Sequence, residues 1–277
     1  MTIEPRLLAI DLDGTVVCRD GAVNERDRRA LDAIRARGVT VVVATGRLYG
    51  GARAVMDELG LDGTHVCADG AHVVRHPSGE DVAVFGLASM VTPLRRVLAA
   101  GDLALFALVR DVVVVDDRSV NLRRYIGHIA SAIEQTDDVL VHASWDVEPG
   151  PSALVAIGPR VGVDHIEPLV RGLDVDVLRY DVPGGLGVSS LALHPRGVSK
   201  GAALASLAAD LGVPLAQTVA VGDWLNDVSM FERAGRSFAM AQAPAAVASA
   251  ASDRLKAHGE EGGGIAELAG RVWGIEV

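Results

Sequence analysis

Two carboxylates spaced two apart, Asp11 and Asp13, close the apolar run Leu7-Leu8-Ala9-Ile10 and lead straight into Gly14-Thr15. In extended backbone, positions i and i+2 point the same way, so both acids can face one small volume. Three later stations carry matching chemistry: Thr45-Gly46, Lys200, and Asp223 with Asn226 and Asp227. Together these are the parts that phosphoryl transfer needs. A carboxylate such as Asp11 can attack phosphorus and hold an aspartyl-phosphate, splitting one hard displacement into two easier ones. A second acid, Asp13, can protonate the leaving oxygen and later take a proton from water. The nucleophile and the phosphate are both negative, so a cation must neutralise the approach. Oxygen ligands, with Asp11 and Asp223 supplying two, suit Mg²⁺ better than zinc or copper. Thr45 offers a hydroxyl, and the turn at Gly46 offers backbone N–H groups, to the phosphate oxygens. Lys200 falls in the first turn of an expected helix, where the macrodipole disfavours it by ~0.3–1 kcal/mol unless an anion binds beside it. Each part alone is an ordinary turn or helix start. Their joint occurrence, each at the end of an element, points to a site.

The elements that must position these groups alternate in the first third. The opening apolar run reads as a strand buried on both faces, as in a parallel sheet. Asn24 is placed to cap a helix running to Arg37 and closed by Gly38. A strand over Val39–Ala44, a helix over Leu48–Leu59 and a strand near His65–Ala68 follow. Such alternation implies βαβ units, with ligands bound beyond the carboxyl ends of the strands. The middle reads as an inserted α+β module. It has a hairpin of Leu103–Arg110 with Val112–Asp116, helices over Val120–Gln135 and Asp164–Gly172, and strands over Val139–Ser144, Ala153–Gly158 and Val175–Tyr180. Pro183-Gly184-Gly185 is expected near its exit. Alternation then resumes with a helix over Ser199–Leu211, a strand over Thr218–Val221, a helix from about Leu225, a strand over Ser237–Met240 and an Ala-rich helix from Pro244 to Ser252. The expected fold is α/β: a Rossmann-like parallel sheet core, residues 1–83 and 187–277, interrupted by an α+β cap at 84–186.

The 277 residues are 49% hydrophobic and 22% charged, a globular composition. A net charge of −10 argues against a nucleic-acid partner, since phosphate backbones are held by clustered Lys and Arg. Cys18 and Cys67 are too few for a disulfide framework and read as reduced thiols. The chain shows neither an N-terminal h-region nor an apolar run approaching the ~20 residues of a membrane span, so a soluble cytoplasmic enzyme is expected, with no membrane partner. Aromatic residues, at 4%, mark no oligomer interface.

These motifs resemble those of the haloacid dehalogenase superfamily of phosphohydrolases. Asp11-Leu12-Asp13-Gly14-Thr15 is similar to its first motif and Thr45-Gly46-Arg47 to its second. Val198-Ser199-Lys200-Gly201 and Gly222-Asp223-Trp224-Leu225-Asn226-Asp227 look like the third and fourth. The insertion is similar to the cap of the Cof-type, sugar-phosphatase-like branch. The resemblance implies Asp11 as nucleophile, Asp13 as general acid/base that also lends Mg²⁺ its backbone carbonyl, and Asp223 as a metal ligand. Thr45, Gly46, Lys200 and Asn226 would bind the phosphoryl group, with Asp227 behind them. Asp69 stands where relatives commonly have Asn, and Ala241-Gln242 where Gly-Asn is usual, so these positions are set outside the catalytic set. Arg47 is placed equally well to touch substrate or to form an ion pair. In the cap, Arg110, Trp145, Arg179, Tyr180 and His194 are the candidates to read a sugar. The expected activity is Mg²⁺-dependent hydrolysis of a small phosphorylated metabolite of the sugar-phosphate class. The alternatives are a phosphomutase and a metabolite-binding protein on a retired core.

Overall fold

The computed structural model describes residues 4–119, 122, 129–181 and 187–277. Five strands form the central parallel sheet in the order β14-β13-β12-β1-β2: β1 (Leu7–Ile10), β2 (Thr40–Val43), β12 (Thr218–Gly222), β13 (Arg236–Ala239) and β14 (Asp253–Arg254). The run Leu7-Leu8-Ala9-Ile10 is apolar at every position because both of its faces are covered. Leu8 and Ile10 enter a core with α1 (Glu25–Ala36), α2 (Tyr49–Glu58) and α8 (Gly264–Trp273). Leu7 and Ala9 meet α5 (Lys200–Asp210), α6 (Val228–Phe231) and α7 (Ala245–Ala250) on the other side. Asn24 caps α1 as expected, its side chain accepting from Arg26 N. The helix expected from Leu225 begins as a tight turn over Leu225–Asp227 before α6.

β3 (Gly63–Cys67) touches the central sheet through a parallel bridge from Ala44 to Val66. It then pairs antiparallel with β4 (His72–His76), which pairs with β5 (Glu80–Val84), a hairpin extension with no counterpart in the sequence reading.

The inserted cap is built on a six-stranded sheet, β10-β11-β9-β6-β7-β8. Its strands are β6 (Ala104–Val109), β7 (Val112–Val115), β8 (Ala132–Gln135), β9 (Ala153–Pro159), β10 (Val175–Asp181) and β11 (Val188–Pro195). The β6–β7 hairpin turns on Arg110-Asp111, with Arg110 in left-handed backbone at φ 50°. α3 (Val91–Leu98) and α4 (Arg160–Arg171) cover one face of this sheet. The other face packs on Leu48, Ala68 and Ala71 of the core. Two expectations are corrected. Ala132–Gln135, the end of the expected helix, is a strand instead, drawn into parallel pairing by the valine edge of β7; residues 120, 121 and 123–128 of that expectation lie outside the described residues. Val139–Ser144 forms tight helical turns rather than a strand, because the Asp138 and His142 side chains accept from Leu140 N and Ser144 N in place of a sheet neighbour. β11, which begins at Val188, hydrogen-bonds to β9 and β10. Pro183-Gly184-Gly185 lies outside the described residues. Among the described residues, no helix is long and apolar enough to cross a membrane.

Candidate active site

Register brings the stations together. Ile10 is level with Val43 on one side and Val221 on the other, so β1, β2 and β12 end on one line. Asp11, the Thr45-Gly46 turn and Asp223 follow directly from those three ends. Lys200, the first residue of α5, is completely buried, an arrangement a lysine accepts only with charged partners. Its Nζ donates to Asp11 Oδ1 and to Asp227 Oδ1, each at 2.7 Å. Burial alone would lower its pKa, but the Asp11 and Asp227 charges outweigh that and raise it, so the amine stays charged. Asp227 is held on its other oxygen as well, where Asp223 N and Trp224 N donate to Oδ2 at 2.8 and 2.9 Å. A Cβ on Gly222 would fall 2.3 Å from that oxygen, so the closeness of this turn requires glycine.

Burial pushes the Asp11 carboxyl well above the ordinary carboxylate range, against the pull of Lys200, with Asp227, Asp223 and Asp13 adding to the rise. Burial and Asp227 likewise push Asp223 up to about 7, opposed by a hydrogen bond from Gln242. Gln242 Nε2 donates to Gly14 O at 2.6 Å and to Asp223 Oδ2 at 3.1 Å, tying the first motif to the fourth. Gly14, at φ +78°, permits the approach, because a Cβ there would lie 2.4 Å from Asp223 Oδ2.

Asp11, Asp223 and Asp227 each offer a carboxylate oxygen, all within 4.8 Å of one another. The donors are hard oxygens, and among Asp11, Asp13, Asp223, Asp227, Lys200 and Arg47 two negative charges remain, so the residues present fit a divalent cation. With both Asp227 oxygens already accepting hydrogen bonds, Asp11 and Asp223 are the better placed to ligate.

Asp13 meets Arg47, whose Nε and Nη2 donate to Oδ2 and Oδ1 at 2.8 and 2.6 Å. Arg47 also donates to Gly51 O at 3.0 Å, so the guanidinium bridges the first motif and α2. Arg47 thus forms an ion pair, though inside the site rather than on the surface, and its side chain also lines the cavity. Thr45 is buried, and its hydroxyl accepts from Arg47 N at 3.1 Å. Asp69 and Gln242, set aside in the sequence reading, both reach the site. Asp69 N donates to Thr45 O, the Asp69 backbone is left-handed at φ 53°, and Asn226 Nδ2 donates to Asp69 Oδ1 at 2.7 Å. The signal for Asp69 was in the sequence, since Asp69-Gly70 sits at a strand end like the other stations; Gln242 carried none.

A cavity of about 390 Å³ opens over these groups, lined from below by Asp11, Asp13, Gly46, Arg47, Asp223 and Asn226. A second, of about 560 Å³, adjoins it across Asp69, Leu178, His194, Leu225 and Asn226 and reaches Lys200. Thr45 and Asp227 lie buried beneath. Of the five cap candidates, Tyr180 and His194 line the first cavity. The other three are engaged elsewhere. Trp145 is buried in the cap and donates to Val139 O, Arg179 pairs with Glu167 and Asp164, and Arg110 pairs with Asp81.

The family model described as haloacid dehalogenase-like hydrolase matches residues 8–92 and 186–268, leaving most of the cap between the two segments. Phosphatase YwpJ of Bacillus subtilis is 29% identical over 265 residues, covering 86% of this chain and 90% of its own. The HMP-PP phosphatase of Yersinia enterocolitica is 27% identical over 249 residues, covering 86% of this chain and 84% of its own. A solved structure titled as a subclass IIB sugar phosphatase of the superfamily superimposes with a TM-score of 0.80 at 19% identity, over 97% of this chain and 99% of that one. With its parallel core, its inserted cap and a family match over more than half its length, the chain belongs to the haloacid dehalogenase-like hydrolases, on the phosphatase side of that superfamily.

Proposed function

We propose that this enzyme hydrolyses the phosphomonoester of a small metabolite through an aspartyl-phosphate on Asp11, with Mg²⁺ held by Asp11, Asp223 and the backbone of Asp13. The observation that carries this reading is the buried Asp11–Lys200–Asp227 network at the carboxyl end of β1, opening on a cavity that Asp13 also lines. The cation, when bound, screens the charge on the phosphoryl oxygens. Asp11 forms the new O–P bond while the ester P–O bond breaks, and the released alkoxide takes its proton from Asp13. Water then attacks phosphorus and gives its proton to Asp13, and the Asp11 carboxylate is restored as phosphate leaves. To donate, Asp13 must shed at least one bond from Arg47. Lys200 holds Asp11 in line, and the Gly46 turn and Asn226 face the phosphoryl oxygens. The cap, which we take as about 84–195 with the core at 1–83 and 196–277, closes the cavity against bulk water.

A sugar phosphate, expected from the resemblance, has the size for this site, as does any small phosphate ester. The decisive assay is phosphate release from p-nitrophenyl phosphate with and without EDTA. Cation-dependent release that falls at least ~10³-fold in Asp11→Asn supports the mechanism. Full activity in that variant refutes it.

A further inference from the structure

α2 begins directly after the Thr45-Gly46-Arg47 turn, and its first turn lacks partners of its own. The N-cap residue is Leu48, whose side chain accepts no hydrogen bond, and the turn contains no acid. The acceptors come from the inserted domain instead. Asp111, at the tip of the β6–β7 hairpin, takes the Gly50 N–H on Oδ1 at 2.6 Å, and the Ile129 carbonyl takes the Leu48 N–H at 2.8 Å. Ser131 Oγ donates to Asp111 O at 3.0 Å and so ties these two segments together. A carboxylate also suits the positive end of the helix dipole.

Gly50 and Gly51, side by side in that turn, fit the same docking. Neither has the positive φ that would call for glycine, and alanine is the better helix former. What excludes a side chain is the inserted domain. A Cβ on Gly51 would press on the Ile129 carbonyl, 2.7 Å from its carbon, and one on Gly50 would lie 2.7 Å from Ser131 Oγ and 3.1 Å from Asp111 Cγ. Arg110, the neighbour of Asp111, is held in left-handed backbone, uncommon for arginine, and reaches Asp81 of β5 at 3.5 Å. The first turn of α2 in its turn holds an acid of the site. Gly51 O accepts from Arg47 Nη1, and the Arg47 fork holds both oxygens of Asp13.

We propose that Asp111 is a positioning residue: seated on the core, it supplies the helix cap that α2 lacks, and the turn it orders keeps Arg47, and through it Asp13, aligned for proton transfer. The part given to Asp13 rests on the phosphatase reading above.

The test is a double-mutant cycle on kcat for p-nitrophenyl phosphate. Asp111→Ala should lower kcat about tenfold, and a loss below about threefold overturns the proposal. Added to Arg47→Lys, the same change should cost less than about threefold more, because both act on one contact; a larger further loss shows that Asp111 works by another route and overturns it. Asp111→Asn, which caps a helix about as well, should keep kcat within about threefold of wild type, and a loss equal to that of alanine overturns the capping role. Gly51→Ala should lower kcat as Asp111→Ala does although alanine favours the helix, and a wild-type kcat there counts against docking as the cause. Hydrogen exchange by NMR reads the contact without turnover. The Gly50 amide should exchange at least ~10-fold faster in Asp111→Ala while the β1 amides keep their rates, and unchanged protection overturns the proposal. No cation-dependent release from the wild-type enzyme removes the phosphatase reading and the positioning role with it, while Gly50 exchange still decides whether Asp111 caps α2.

Discussion

Cation binding and protonation should compete at Asp223, and the competition can be counted. In the cation-free protein burial and Asp227 push this carboxyl up to about 7, against an ordinary value of 3.8. A carboxyl raised on folding keeps its proton to higher pH than the unfolded chain does. This carboxyl's contribution to the stability of the cation-free protein is therefore full at low pH and is lost as pH rises from about 4 through 7. A divalent cation takes the place of the proton. At pH 6, Asp223 with a pKa of about 7 carries about 0.9 proton, which ligation must expel. At pH 8 it carries only about 0.1. Apparent affinity should then be about 11-fold weaker at pH 6 than at high pH, and about 100-fold weaker at pH 5. Asp11, raised for the same reason, adds to the protons released. Titration calorimetry with Mg²⁺ in two buffers of different ionisation enthalpy measures protons released per ion directly. The rise in melting temperature on adding Mg²⁺ should likewise be larger at pH 8 than at pH 5.5. Release below about 0.3 proton at pH 6, with affinity flat from 5.5 to 8, would refute the assignment of Asp223 as a ligand.

Other substitutions separate the supporting contacts. Lys200→Met removes the cation between Asp11 and Asp227 and should cost about 3–5 kcal/mol in urea denaturation at pH 7.5. The deficit should narrow at acid pH as Asp11, whose carboxyl burial raises, takes up a proton; an equal deficit at pH 5 and pH 8 argues against a charge origin. Gln242→Ala frees Asp223 and the Gly14 carbonyl and should weaken cation binding about 10–100-fold while the cation-free melting temperature shifts little. An unchanged cation affinity would remove Gln242 from the site. Arg47→Lys keeps the charge but cannot hold both Asp13 oxygens, so kcat should drop roughly tenfold with KM nearly unchanged. A wild-type kcat would show that orientation of Asp13 does not depend on the fork.

The core and its stations were legible in the sequence because their signals are local. Leu7-Leu8-Ala9-Ile10 is apolar throughout only where helices cover both faces, and the acids at its end fall where a parallel sheet places its ligands. What escaped depended on pairing between distant segments. Ala132–Gln135 is polar enough to pass for the end of a helix, and only the free edge of β7 makes it a strand. Gln242 reads as a loop residue until the chain reversal after β13 brings it onto Gly14 and Asp223.

The cap wall shows the same limit more sharply. Along Ala153–Pro159 every position up to Gly158 is buried, so alternation is lost and the sequence cannot tell the face toward α3 and α4 from the face toward the cavity. Arg179 looked suited to read substrate and instead binds Glu167 and Asp164 on α4, while Val155 and Ile157, unremarkable as sequence, face the reacting centre. Specificity in such a cap is set by which face of a doubly buried strand turns inward. A motif at a strand end marks the candidate catalytic groups because strand ends converge by topology; no comparable rule marks the inward residues of the cap, and selection by polar or aromatic side chain picked three of five candidates that point away.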